Sequence, residues 1–290
     1  MAEQPAPSPR TKSFLCGLFG AGIGGTRSPA MHEAEAAALG LTYVYRPIDF
    51  AALGRGVADL PRMLAEAAAF GFDGLNVTHP FKQAVIPLLD AVSDDARGIG
   101  AVNTVVFRDG RTTGHNTDWW GFAENFRRGL PGVAMDHVVQ VGAGGAGAAV
   151  AHAILTLGAR DLALHDIDAT RAAALAANLN AHFGAGRARA ATDLVAALAQ
   201  ADGLVQASPV GMQGHPGMPV PEAALRPALW VAEVIYFPLE TELLRRARAA
   251  GCRTLDGGGM AVLQAAEAMR LFTGVTPDID RMLRRFAAPG

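Results

Sequence analysis

Short runs of β-branched and aromatic residues alternate with alanine-rich stretches of helical spacing along most of the 290-residue chain. Residues 14–19 read as a strand, and a glycine loop follows it. Ser28 and Pro29 then look like an N-cap with proline at the first helical position, and Gly40 closes that helix. A second strand is expected over residues 41–48. Apolar residues recur at helical spacing over 60–70 and stop at Gly71. A short strand over 74–78 leads to Pro80, where a further helix is expected to begin with Lys82 in its first turn. This β-α-β-α rhythm implies an α/β fold on a mostly parallel sheet.

The second half repeats the alternation. Residues 137–141 form a continuous apolar-rich strand that feeds into Gly142-Ala-Gly-Gly-Ala-Gly147. A helix over about 146–157 ends at Gly158, and the strand at 162–165 runs into Asp166. Strands are expected near 203–206, 230–234 and 253–255, and a last long helix over about 260–272 follows Gly257-Gly258-Gly259. The reading is an N-terminal α/β substrate domain with a Rossmann dinucleotide-binding domain inserted in it, the C-terminal helices returning to the first. Boundaries fall near Asp118 and Asp256: a disordered tail at 1–12, a substrate and catalytic domain at 13–118 and 256–290, and the nucleotide domain at 119–255.

Composition narrows the class. With 50% hydrophobic and 18% charged residues, the chain has enough apolar mass for two well-cored domains. Its 25 basic and 27 acidic residues give a net charge of −2, which offers no basic field for nucleic acid or an anionic membrane. Cys16 and Cys252 stand in unrelated contexts, with neither disulfide nor metal-ligand spacing, and read as reduced core thiols of a cytoplasmic protein. No apolar run is long enough to span a bilayer.

A glycine-rich turn alone says little, but this one sits between a strand and a helix, with an acid about 20 residues on at the end of the next strand. Gly142, Gly144, Gly145, Ala146 and Gly147 would let a pyrophosphate approach backbone N–H groups at the helix N-terminus. The Asp166 carboxylate can accept the adenosine ribose hydroxyls and repels a 2′-phosphate, which favours NAD and leaves NADP possible. Arg171 can stack on adenine, attract a phosphate, or stand solvated on its helix.

Upstream, Asn76-Val-Thr-His-Pro-Phe-Lys82 and Gly114-His-Asn-Thr-Asp118 each end in a residue suited to proton transfer. A lysine paired with an aspartate beside a hydride carrier suffices to interconvert an alcohol and a ketone. Asn76, Thr78, Asn103, Asn116 and Gln264 are short uncharged donors and acceptors suited to a substrate with several hydroxyls. Thr26 and Ser28, beside a helix start, can hold a carboxylate through hydroxyls and backbone N–H groups. Tyr236 adds a phenolic donor at the domain junction.

Together these motifs resemble the shikimate dehydrogenase family from about Phe14 to Phe286. The likeness runs through Ser28-Pro29 with Met31-His32, Asn76 to Lys82, Ala101-Val-Asn-Thr104, Asn116-Thr-Asp118, the glycine turn, Ser208-Pro-Val-Gly-Met212, Tyr236-x-Pro238-x-x-Thr241 and Gln264-Ala-Ala. His79, Met31-His-Glu-Ala-Glu35 and Asp166-Ile-Asp-Ala-Thr-Arg171 are similar to the NAD-linked quinate/shikimate dehydrogenase branch. The resemblance implies an oxidoreductase acting on a ring hydroxyl of shikimate or quinate, within the chemistry of aromatic amino acid biosynthesis. It implies Lys82 and Asp118 as catalytic dyad, with Thr26, Ser28, Asn76, Thr78, Asn103, Tyr236 and Gln264 lining the substrate site. Ser208, Met212, Val234 and Gly257 would flank the cofactor. One departure stands out: Thr26-Arg-Ser28 occupies the place where the family commonly has Ser-x-Ser or Ser-x-Thr. Two other readings remain: a divergent member acting on an amino-substituted or modified ring acid, and a non-catalytic dinucleotide-sensing protein.

Overall fold

Two six-stranded sheets organise the computed structural model, which describes residues 12–288. The tail expected over 1–12 lies outside the described residues except for Lys12. The first sheet contains β1 (Ser13–Gly20), β2 (Thr42–Asp49), β3 (Gly74–Val77), β4 (Ala91–Val92), β5 (Thr104–Arg108) and β6 (Arg111–His115), in the order β2-β1-β3-β5-β6-β4. Helices α1 (Ser28–Ala38), α2 (Leu60–Ala69) and α3 (Asp94–Ile99) connect its strands, and α4 (Thr117–Gly129) leads out of it. The second sheet is entirely parallel: β7 (His137–Val141), β8 (Asp161–His165), β9 (Ala188–Ala190), β10 (Gly203–Gln206), β11 (Trp230–Glu233) and β12 (Thr254–Leu255), ordered β12-β11-β10-β7-β8-β9. Its helices are α5 (Gly145–Thr156), α6 (Ala169–Phe183), α7 (Leu194–Ala199) and α8 (Glu242–Ala249). The order reverses beside β7, so the β7–α5 turn opens at a switch point, where such sheets bind ligands.

The chain then returns. In α9 (Gly258–Thr273), Ala268, Met269 and Phe272 bury themselves against Phe14, Cys16, Leu18, Tyr43 and Tyr45 of the first sheet. The last helix, α10 (Ile279–Ala287), packs Met282 and Phe286 on Val262, Ala265 and Ala266 of α9. Both cysteines are free and buried, and burial pushes the Cys16 thiol up to about 12.

The mostly parallel reading holds with one exception in the first sheet, and two local expectations are corrected. The first sheet is mixed, because β5 runs antiparallel to both β3 and β6. Asp109 and Gly110, at φ 52° and 71°, make the two-residue turn that folds β5 onto β6. No helix starts at Pro80: residues 78–85 form successive turns, followed by one turn of 3-10 helix at Ile86–Leu88. Buried Phe81 and the bond from Val102 N to the Lys82 carbonyl at 2.8 Å hold this segment in turns, and Pro87 has no N–H with which to carry a helix through it. Ser28 is not an N-cap either. Arg27 holds that position and Ser28 is the first residue of α1, its hydroxyl accepting from Thr26.

Candidate active site

Lys82 sits in a turn that its neighbours hold rigidly. Phe81 is buried against Phe50 with ring centroids 4.3 Å apart, and the Lys82 carbonyl accepts from Val102 N at 2.8 Å. The side chain reaches Asp118, with Nζ 2.6 Å from Oδ2. Asp118 occupies the first turn of α4, where Asn116 caps the helix: its side-chain oxygen accepts from Asp118 N at 3.1 Å and Trp119 N at 3.4 Å. A second amide fixes the carboxylate itself, since Asn103 Nδ2 donates to Asp118 Oδ1 at 2.9 Å. The lysine and aspartate side chains are 23% and 13% exposed, so the pair is largely removed from the screening that weakens surface ion pairs.

The network continues inward. Asn76 Nδ2 donates to Thr104 Oγ1 at 3.0 Å and to the Asn103 carbonyl at 3.3 Å, while its Oδ1 accepts from Tyr45 Oη at 2.8 Å. A connected chain of polar groups thus runs from Lys82 through Asp118, Asn103 and Asn76 to Tyr45. Thr26 Oγ1 donates to Ser28 Oγ at 3.1 Å, which pairs the two hydroxyls before α1. Thr78, just past β3, packs its methyl toward Gly20. Gln264 and Tyr236 stand outside this network: Gln264 bonds only its own helix at Ala261 O, and Tyr236 is half exposed with its ring centroid 6.5 Å from that of Phe286.

On the nucleotide side, the chain leaves β7 at Gly142 with φ 101°, and a Cβ on Gly147 would lie 2.3 Å from the Gly142 carbonyl. Only glycine permits that tight a turn. Gly144 caps α5 with no side chain, and space is open around Gly144 and Gly145 where side chains would stand. Backbone N–H groups beside Ala146 are therefore presented to an anion, and the turn fits a dinucleotide pyrophosphate. Asp166 Oδ2 accepts from Ala143 N at 2.7 Å and Oδ1 from Asp168 N at 2.9 Å, so the carboxylate is fixed at the end of β8. Arg171 Nε approaches Asp168 at 3.4 Å and its side chain is mostly exposed. Ser208 lies past β10, Met212 is exposed, and Val234 and Gly257 are in backbone contact where β11 ends. Among the described residues, no group of three His, Cys, Asp or Glu side chains is placed to hold a metal ion.

Sequence reasoning missed several supports. Gln140 Nε2 donates to the carbonyls of Gly142 and Gly147, both at 2.8 Å, and pins the glycine turn from behind. Gln206 bonds Ser208 and Val210 in the same manner beyond β10. A glutamine in the middle of an otherwise apolar parallel strand was the available signal, because a buried amide must find partners. Thr104 and Thr117 stood inside motifs without a role and Tyr45 gave no signal: their bonds to Asn76 and Asn103 are visible only in the fold.

The profile of the shikimate dehydrogenase substrate binding domain matches residues 18–105. The shikimate dehydrogenase (NADP+) of Streptomyces avermitilis is 59% identical over 277 residues, 95% of each chain. The quinate/shikimate dehydrogenase (NAD+) of Corynebacterium efficiens is 50% identical, covering 94% of this chain and 98% of its own. Among solved structures, the quinate dehydrogenase of Corynebacterium glutamicum in complex with NAD superposes with a TM-score of 0.90 at 49% identity, over 94% of this chain and 98% of that one. Likeness of this extent, over both sheets and the returning helices, places the chain in the shikimate dehydrogenase family.

Proposed function

We infer that this chain is an NAD-dependent dehydrogenase that interconverts shikimate and 3-dehydroshikimate, quinate and 3-dehydroquinate, or both pairs. The observation that carries the reading is the half-buried Lys82–Asp118 contact at 2.6 Å, braced by Asn103 beside the elements that present the glycine turn. Residues 13–118 and 256–290 act as the substrate domain and residues 119–255 as the nucleotide domain. A bound nicotinamide dinucleotide supplies the hydride acceptor or donor. The protein supplies the rest. In the oxidising direction, Lys82 Nζ takes the proton from the ring hydroxyl oxygen, and in the reducing direction it returns it. Asp118 holds the ammonium in line, and Asn103 holds Asp118. Thr26 and Ser28 bind the carboxylate, while Asn76, Thr78, Gln264 and Tyr236 surround the ring hydroxyls.

Asp166 decides the cofactor in this reading. Fixed by two backbone N–H groups, its carboxylate cannot swing away from a 2′-phosphate, and Arg171 is drawn toward Asp168. Initial rates with shikimate and quinate, each against NAD and NADP, test it. The higher kcat/KM is expected with NAD, and Asp166→Ala should erode that preference through weaker NAD binding. A wild-type preference for NADP overturns the assignment and makes Arg171 a phosphate ligand. The compartment in which it works is proposed to be the cytoplasm; among the described residues, no helix is long and apolar enough to cross a membrane.

A further inference from the structure

The last helix reaches back to the residues assigned to the substrate carboxylate. Its start is tied to α1 through Glu35, which is fully buried and accepts from Asp278 N at 2.8 Å, Arg281 Nε at 2.8 Å and Arg281 Nη2 at 2.6 Å. Its end delivers Phe286 to a junction of three segments. The Arg27 guanidinium lies 4.3 Å from the centre of the Phe286 ring, and Arg27 Nη2 donates to the Phe286 carbonyl at 3.2 Å. The Tyr236 ring centroid is 6.5 Å from that of Phe286, and the Phe286 ring also lies in contact range of Gly258 at the start of α9.

Arg27 is the residue between Thr26 and Ser28, and its carbonyl accepts from Met31 N at 3.2 Å at the start of α1. Holding its side chain therefore holds the peptide on which both hydroxyls are mounted. We propose that Phe286 is a positioning residue for the substrate carboxylate, acting through Arg27 to fix Thr26 and Ser28. The proposal rests on the assignment of that pair to the carboxylate. Two properties of Phe286 are used. Its ring face attracts the guanidinium, which lies over it. Its carbonyl, near the helix C-terminus, accepts from the same cation.

The test measures shikimate oxidation by the full chain with saturating NAD, together with NAD binding in the absence of shikimate. Phe286→Ala is expected to raise KM for shikimate about three- to tenfold, with kcat changed less than twofold and NAD affinity unchanged. Phe286→Tyr keeps the ring and should restore KM, whereas Phe286→Leu fills the space without the ring face and should not. Arg27→Met, a variant at an exposed side chain, should raise KM to a similar degree, and combining it with Phe286→Ala should add little. An unchanged KM in a folded Phe286→Ala or in Arg27→Met, multiplicative losses in the double variant, or parallel losses of kcat and NAD affinity would overturn the proposal alone. A wild type that turns over neither shikimate nor quinate overturns the functional reading, and this proposal with it.

Discussion

At Asp118 the two carboxylate oxygens are divided between Lys82 Nζ at 2.6 Å and Asn103 Nδ2 at 2.9 Å. Each contact sets the other: the amide fixes the carboxylate plane, and the carboxylate fixes the ammonium. A lysine with four rotatable bonds gains a defined Nζ position that its own rotamers do not supply. Residues that act as one unit give non-additive losses. Lys82→Ala is expected to lower kcat by about 10²–10⁴-fold while NAD binding changes little. Asp118→Asn should also impair turnover, and the double variant should be far less damaged than the product of the two singles. Steady-state kinetics of the four proteins decide this, and fully multiplicative losses would count against the pair.

The connection from β11 to α8 carries Tyr236, and its two ends are joined by one buried contact. Thr241 Oγ1 donates to Glu233 Oε2 and accepts from Leu244 N at 3.3 Å, so one hydroxyl caps α8 and ties it to the strand. Glu233 is 1% exposed, and its Oε1 makes no hydrogen bond among the described residues. Burial raises its carboxyl from 4.5 to about 7; the bond from Thr241 opposes the rise and the charge of Asp256 adds to it. The folded chain therefore keeps a proton that the unfolded chain releases above 4.5. That contribution to stability is complete below 4.5 and is lost as pH rises through about 7. Relative to Glu233→Gln, the wild type should lose melting temperature across this window and above it run parallel to the variant at a constant deficit. Parallel Tm profiles from pH 4.5 to 8 would show that Glu233 titrates normally.

Across the whole molecule, the seam between the two sheets is built from helices. α4 leaves the first sheet and packs on both α5 and α9. α3 lies against α5 and α6, where His152 Nε2 approaches Asp95 Oδ1 at 3.3 Å and Asn178 Nδ2 donates to Gly98 O at 3.1 Å. Ile99, Ala101 and Ala149 close this seam with an apolar patch. The proposed site, in contrast, draws Lys82 and Asp118 from one side and the glycine turn from the other. A pivot on the α3–α5 side, with the chain crossings proposed near Asp118 and Asp256, makes closure over bound ligands the expected response. Small-angle scattering should show a smaller radius of gyration with NAD and substrate analogue together than with neither. An identical interdomain angle in crystals with and without both ligands would refute closure.

The α/β class and the strand–glycine–helix unit followed from local pattern. The apolar-rich run at 137–141 favours a buried strand, and glycine at 142 permits the positive φ that the turn uses. The pairing of Lys82 with Asp118 was legible as two motifs, since each residue ends a distinctive polar run. Short-range signals failed where long-range contacts ruled. The segment after Pro80 read as a helix but became turns pinned by Phe81 and the Val102–Lys82 bond. The hairpin of β5 and β6 was announced by Asp109-Gly110 and went unread, because β6 is polar and both strands are only five residues long. Arg27 carried no signal at all: only the returning C-terminal helix gives it Phe286 as a partner. The sequence alone thus determined which chemical groups are present and the local backbone forms that glycine and apolar periodicity impose. The tertiary structure decided which groups touch, because Asn103, Tyr45, Glu35 and Phe286 meet their partners across strands and helices whose approach depends on burying distant apolar faces together.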